Sequence, residues 1–232
     1  MASKTITVNA PDGSKFDCYV SAPTGEAPAV LVIQEIFGVN QGLRQTADWL
    51  ADNGFLAVAP DLFYRQEPGV QLTDQTDEEW QKAFRLYAGF DENLGAEDLK
   101  SCLTATRKLP ECTGKVGTLG FCLGGKLAYL MSVRSNAECN VSYYGVGIEK
   151  NLAETANLNG HLLLHIAEDD QYVPPSAQKE IQTALGKNPK ATIYVYQGQD
   201  HAFGRVGGAH YNRDAAELAN ARSLEFLRKH LQ

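Results

Sequence analysis

Lys115-Val-Gly-Thr-Leu-Gly-Phe-Cys-Leu-Gly-Gly-Lys126 joins a strand-like run, Val116 to Leu119, to a helix-like run from Lys126 to Val133. Between them, Gly120-Phe-Cys-Leu-Gly124 has the G-x-C-x-G form of a nucleophile elbow, with sulfur where a serine oxygen is usual. A side chain displayed at the top of a sharp strand-to-helix turn needs a strained backbone, and neighbouring side chains would collide with it. Gly120 and Gly124 remove those neighbours. The helix starting behind Cys122 brings free N–H groups and a partial positive charge, which favour a thiolate and a developing oxyanion. A cysteine in such a turn also serves as a small buried hydrophobe. The partners that decide between these readings must come from the rest of the chain.

With 232 residues there is ample chain for a sizeable core. A hydrophobic share of 44% and a charged share of 21% are those of a globular protein, and the reading is a single α/β domain over residues 1–232. The net charge of −7 argues against nucleic acid as a partner, and no basic patch is aimed at a membrane. Met1-Ala-Ser-Lys-Thr5 has no apolar signal region, and no apolar run approaches the roughly 20 residues of a membrane span. A cytoplasmic location is therefore expected. Cys18, Cys102, Cys112, Cys122 and Cys139 are odd in number and lack C-x-x-C spacing, against both a disulfide framework and a zinc site.

Around the elbow, the chain alternates strands and helices. Thr5–Val8 and Lys15–Val20 read as an opening hairpin about Pro11-Asp-Gly13. Ala29–Ile33 and Phe55–Ala59 are apolar runs of the kind buried on both faces of a parallel sheet. Gln41–Asn53 is helical by spacing, with Leu43, Ala47, Leu50 and Ala51 on one face. Glu78–Ala88 and Ala96–Lys108 read as helices before the elbow. After it come strands at Asn140–Tyr144, Leu162–Ile166 and Thr192–Tyr196, and helices at Ser176–Leu185 and Arg213–Leu231. This order predicts an α/β fold with a mainly parallel central sheet and helices on both faces.

In such sheets ligands sit beyond the carboxyl ends of the strands. Cys122, then Glu168-Asp-Asp170, then His201 follow successive strands, giving the order nucleophile, acid, histidine expected of an α/β-hydrolase. His201 is the expected base, with His210 the alternative. Among the acids, Asp170 is favoured because Pro174 and Pro175 fix its loop against the next helix. Glu35, flanked by Val32, Ile33, Ile36 and Phe37, is costly to ionise at a strand end without a partner and reads as functional. The backbone N–H groups of Leu123 and Ile36 are candidates for an oxyanion hole. Arg205, with its planar fork, could clamp a substrate carboxylate. His161 and His165 would stand about 13 Å apart along one strand face at roughly 3.3 Å per residue, too far to share a metal, and read as structural.

Gln34-Glu-Ile-Phe-Gly-Val-Asn40, Gly120-Phe-Cys-Leu-Gly-Gly125, Tyr143-Tyr-Gly-Val-Gly147, Asp170-Gln-Tyr-Val-Pro174 and His201-Ala-Phe-Gly-Arg205 together resemble dienelactone hydrolase (carboxymethylenebutenolidase). The resemblance runs nearly end to end, with the motifs in order and at similar spacings. It implies an α/β-hydrolase fold, no metal or organic cofactor, and a Cys122–His201–Asp170 triad. It also implies a buried glutamate at Glu35, a carboxylate-binding arginine at Arg205 and an elbow-proximal tyrosine at Tyr143. The chain departs from the pattern at a second substrate-binding arginine, where Trp80 stands with Lys82 and Arg85 the nearest cations, and at Ala202, where a small polar residue often follows the histidine. Tyr87, about two turns beyond Trp80 on the same face, is a candidate to line the pocket.

The implied reaction is hydrolysis of a lactone or enol ester, of the dienelactone-to-maleylacetate type, through a thioester acyl-enzyme. The expected partner is a small lactone or ester bearing a carboxylate, with neither nucleic acid nor membrane, and a monomer is favoured. A further expectation is that Glu35 keeps the resting thiol protonated and takes its proton when substrate binds. Two alternatives are a broader carboxylesterase acting on other activated esters and a ligand-binding protein without turnover on the same scaffold.

Overall fold

The alternating first residues build the expected hairpin. In the computed structural model, which describes residues 2–232, β1 (Ala2–Asn9) and β2 (Lys15–Ala22) run antiparallel with Ile6 opposite Cys18 and Val8 opposite Phe16. The apolar members of β2 are buried and the alternate ones exposed near its start, as the period of two requires.

The chain divides into two compact units between Val116 and Gly117. In the first, β3 (Ala27–Ile33) and β4 (Leu56–Pro60) are parallel, β2 and β4 antiparallel, and the strand order is β1-β2-β4-β3. Every residue of β4 is buried, so this strand is covered on both faces, as its uninterrupted apolar run implies. Helix α1 (Gln41–Asp52) packs on β2, β3 and β4 and buries Leu43, Ala47, Leu50 and Ala51, the stripe read from spacing. Each such leucine contributes about 1.5–3 kcal/mol relative to exposure. Asn40 caps it, its Oδ1 accepting the Leu43 N–H at 3.0 Å.

Helix α2 (Asp77–Ala88) falls within a residue of expectation, whereas α3 (Glu92–Thr106) starts four residues earlier than its spacing suggests. Asp91 is the reason, since its Oδ1 accepts the N–H groups of Asn93 at 2.8 Å and Leu94 at 3.1 Å and starts the helix there. Gly95 in that first turn, which weakens the helical pattern, makes room for the Phe90 ring.

The second unit takes up the last residues of β5 (Cys112–Phe121), followed by α4 (Leu123–Arg134), β6 (Cys139–Tyr143), a 3₁₀ helix at Ile148–Asn157 and β7 (His161–Ala167). It is completed by α5 (Pro175–Leu185), β8 (Ala191–Tyr196) and α6 (Arg213–Leu231). Strands β5, β6, β7 and β8 are neighbours in that order, all parallel. Their carboxyl ends therefore lie along one edge. Helix α4 is buried along almost its whole length against β6, β7 and the 3₁₀ helix, which explains its lack of a polar stripe. Helix α6 packs on β6 and β7 through Ala216, Ala219, Ser223, Leu227 and Leu231. Among the described residues no helix is long and apolar enough to cross a membrane.

Candidate active site

At the end of β5 the chain turns sharply into α4, and Cys122 occupies that turn with φ 55 and ψ −113. Positive φ is costly for a side-chain-bearing residue and persists only where its surroundings impose it. Those surroundings are visible. The Cys122 N–H donates to Tyr143 O at 3.0 Å, and Cys122 O accepts from Lys126 N–H at 3.1 Å and Val146 N–H at 3.3 Å. A Cβ on Gly120 would stand 2.0 Å from Gly124 O, so the turn closes only because that position has no side chain. Leu123 opens α4, and amides of a first helical turn have no acceptor within the helix.

The acid comes from the loop after β7. Glu168 and Asp169 are exposed there, whereas Asp170 is 3% exposed. Asp170 Oδ1 accepts the N–H groups of Tyr172 at 2.8 Å and Val173 at 3.2 Å, and its Oδ2 faces His201 Nδ1 at 2.8 Å. Pro174 and Pro175 then lead into α5, whose Gln178 side chain donates to Ala167 O at 3.1 Å and Val173 O at 2.8 Å and ties the loop shut. Gln178 carries no signal in the sequence, because its role depends on where the helix lands.

His201, 6% exposed, follows β8 and has its backbone N–H held by Asp200 Oδ1 at 2.6 Å. Burial alone would lower its pKa, but the charge of Cys122 and hydrogen bonds with Asp170 and Cys122 outweigh it and raise the imidazole from 6.5 to about 10. The structure therefore brings Cys122, His201 and Asp170 into one connected group. His210 stands outside it and pairs with Asp200 at 3.1 Å. Arg205, in the turn after Ala202, is half-buried and contributes to the field at Tyr172 together with Cys122, Asp170 and Asp200.

Tyr143 requires correction as a pocket residue. Its ring is fully buried and its hydroxyl reaches Asn220 Oδ1 at 2.9 Å and Ser223 Oγ at 2.7 Å, on α6. Adjacent strand residues face opposite ways, and it is Tyr144, at φ 39, whose ring meets His201 edge-on at 5.1 Å. Tyr172 meets the same imidazole at 4.8 Å and is 40% exposed. Both tyrosines lie inside the motifs quoted above, but spacing did not show which way either would face.

In the first unit, Glu35 is half-buried two residues beyond β3, and Ile36 is 6% exposed. Phe37 lies against the indole of Trp80 at 5.0 Å, and Trp80 stacks on Phe84 at 5.5 Å while its Nε1–H donates to Asp74 O at 3.0 Å. Tyr87, on α2, is 37% exposed.

This arrangement can be compared with known proteins. The chain is 46% identical over 238 residues to a candidate carboxymethylenebutenolidase of Azospirillum brasilense, covering 97% of this chain and 98% of that one. It is 38% identical to the carboxymethylenebutenolidase of Pseudomonas putida, covering 98% and 97%. Among solved structures, that of a candidate dienelactone hydrolase of Klebsiella pneumoniae subsp. pneumoniae superposes with a TM-score of 0.84 at 25% identity, covering 98% of this chain and 99% of that one. The sequence model of the dienelactone hydrolase family matches residues 16–231, which include the elbow and both of its partner loops. An α/β-hydrolase fold, a family model matched from residue 16 to 231 and relatives matched over nearly their full length agree, and the chain belongs to the dienelactone hydrolase family.

Proposed function

We propose that this protein hydrolyses lactones or activated enol esters bearing a carboxylate, through Cys122, His201 and Asp170 and a thioester intermediate. The reading is carried by one observation: the cysteine of the positive-φ elbow is hydrogen-bonded to His201, whose other ring nitrogen meets the buried Asp170 at 2.8 Å.

The raised imidazole pKa corresponds to an imidazolium at His201, and the attacking form of Cys122 in this reading is the thiolate. The sulfur forms a bond to the carbonyl carbon and the π pair moves onto oxygen, where the Leu123 N–H at the start of α4 can donate to it. Collapse of this intermediate breaks the ring C–O bond, leaving a thioester and an enolate that departs with little acid help. The enolate remains tethered, because the substrate is cyclic. His201 gives it a proton. Acylation has by then removed the sulfur charge that held the imidazole protonated, so the neutral ring can take a proton from water. The hydroxide adds to the thioester carbon, the C–S bond breaks, and the thiolate–imidazolium pair returns with the carboxylic acid product. Asp170 holds Nδ1 throughout and favours the charged ring. Sulfur suits a substrate with a good leaving group, being nucleophilic at modest pKa.

Arg205 is assigned to the substrate carboxylate. Replacing it by alanine should lower kcat/KM on an anionic dienelactone about 10- to 100-fold, the worth of a charge-assisted hydrogen bond. The rate on neutral p-nitrophenyl acetate should stay within twofold, by the same reasoning that no charge is met. Equal losses on both substrates would remove the carboxylate from the proposal.

A further inference from the structure

His165 is fully buried, lies outside the Cys122–His201–Asp170 group, and has both ring nitrogens hydrogen-bonded. Proton capacity gives its contacts a direction. The single hydroxyl proton of Tyr143 goes to Asn220 Oδ1 at 2.9 Å. The 2.7 Å contact between Tyr143 Oη and Ser223 Oγ then needs the proton of Ser223. With its proton used there, Ser223 Oγ accepts from His165 Nε2 at 2.9 Å, so Nε2 carries the ring hydrogen. A neutral ring leaves Nδ1 as the acceptor for the Tyr196 hydroxyl at 2.8 Å. Tyr196 in turn accepts from Arg222, whose guanidinium also lies 3.8 Å over the Tyr194 ring. Burial, then the charge of Arg222, lowers the His165 pKa to about 3, in keeping with a neutral ring.

The chain starts and ends on α6, and its links on β6, β7 and β8 each support the candidate active site. Tyr143 O accepts the Cys122 N–H at 3.0 Å. His165 O accepts the Tyr144 N–H at 2.8 Å, and the Tyr144 ring lies against His201. Tyr196 packs on Phe203, two residues beyond His201, with ring centroids 4.8 Å apart. An apolar filling of the same space would avoid desolvating the four buried polar side chains Tyr143, His165, Tyr196 and Ser223. A fully satisfied polar network instead fixes a unique arrangement.

We propose that the directed hydrogen-bond chain from Arg222 through Tyr196, His165, Ser223 and Tyr143 to Asn220 holds Cys122 and His201 in reacting register, with His165 and Ser223 as positioning residues. This rests on the reading that Cys122 and His201 carry the reaction.

Two substitutions interrupt the chain while keeping the surrounding packing: Tyr196→Phe, which retains the ring on Phe203, and Ser223→Ala. Each should lower kcat on p-nitrophenyl acetate about tenfold while KM changes less than about twofold, since small misplacements of reacting groups are felt in the chemical step. Each should also shift the pH profile of iodoacetamide alkylation at Cys122, a readout that needs no substrate. Lower thermal stability with both kcat and the alkylation profile unchanged would overturn the proposal. A parent protein that turns over ester but is not alkylated at Cys122 would instead sink the assignment of the nucleophile. Independently of any variant's folding, NMR of the unsubstituted protein should show His165 neutral, with the proton on Nε2, from about pH 5 to about pH 8, where an ordinary imidazole titrates. A proton on Nδ1, or titration within that range, would overturn the direction of the chain.

Discussion

Cys122 helps to set the charge of His201. Two of the causes that raise His201 to about 10 come from Cys122, so Cys122→Ala should let burial act with less opposition and lower the imidazole pKa. A histidine NMR titration checks this, and an unchanged His201 midpoint would mean that the ion pair does not exist in solution. That Cys122, Asp170 and His201 would come together was legible in the chain, because each follows a strand of the parallel sheet. What could not be read was orientation. Tyr143 and Tyr144 are adjacent, and only the strand's alternation and the turn at φ 39 decide that one points to α6 and the other to His201. The acid was ambiguous among Glu168, Asp169 and Asp170 until burial and the 2.8 Å contact to His201 separated them.

At the scale of elements, the strand–elbow–helix unit depends on backbone contact that tolerates no added atom. Gly120→Ala would place a carbon 2.0 Å from Gly124 O and 2.4 Å from its carbonyl carbon, neither of which can swing aside as a side chain could. The expected outcome is a loss of about 1–3 kcal/mol or more in denaturant titration, together with loss of activity. An unchanged midpoint would show that the turn is looser than its contacts indicate. Elements with a one-sided apolar period were readable almost to their ends: α1 buries the four residues its spacing selects, and α6 runs from Arg213 to Leu231 as expected. The 3₁₀ helix at Ile148–Asn157 is not legible in the sequence because it buries only Ile148 and offers no apolar stripe. The early start of α3 was hidden for a different reason, a glycine whose bareness accommodates Phe90.

For the whole molecule, histidines make stability depend on pH in a direction that can be stated. His161 and His230 stack with ring centroids 3.8 Å apart, and Phe226 packs on His230 at 4.7 Å. Burial, then the charges of His161 and Lys229, lowers His230 to about 4, and burial, then Lys190 and Lys229, lowers His161. Unfolded imidazoles take up protons near 6.5, so from there down to about 4 the unfolded chain binds more protons and stability falls with pH. His201 acts oppositely, its contribution being full below about 6.5 and lost as pH rises through about 10. Melting temperatures should therefore be highest near neutrality. His230→Phe, which keeps a ring in the stack, should flatten the acid side; an unaltered slope would exclude the pair as its source. The fold itself was legible because strands covered on both faces are written as unbroken apolar runs, whereas the substrate is not written in any single motif. The central claim, that Cys122 opens an ester by forming a thioester, is tested most directly by acid-quenching the protein with a lactone and mapping the adduct by mass spectrometry. The expected result is a gain equal to the whole lactone on the peptide bearing Cys122, absent in Cys122→Ala. Turnover with no such adduct, or turnover that survives in Cys122→Ala, would contradict it.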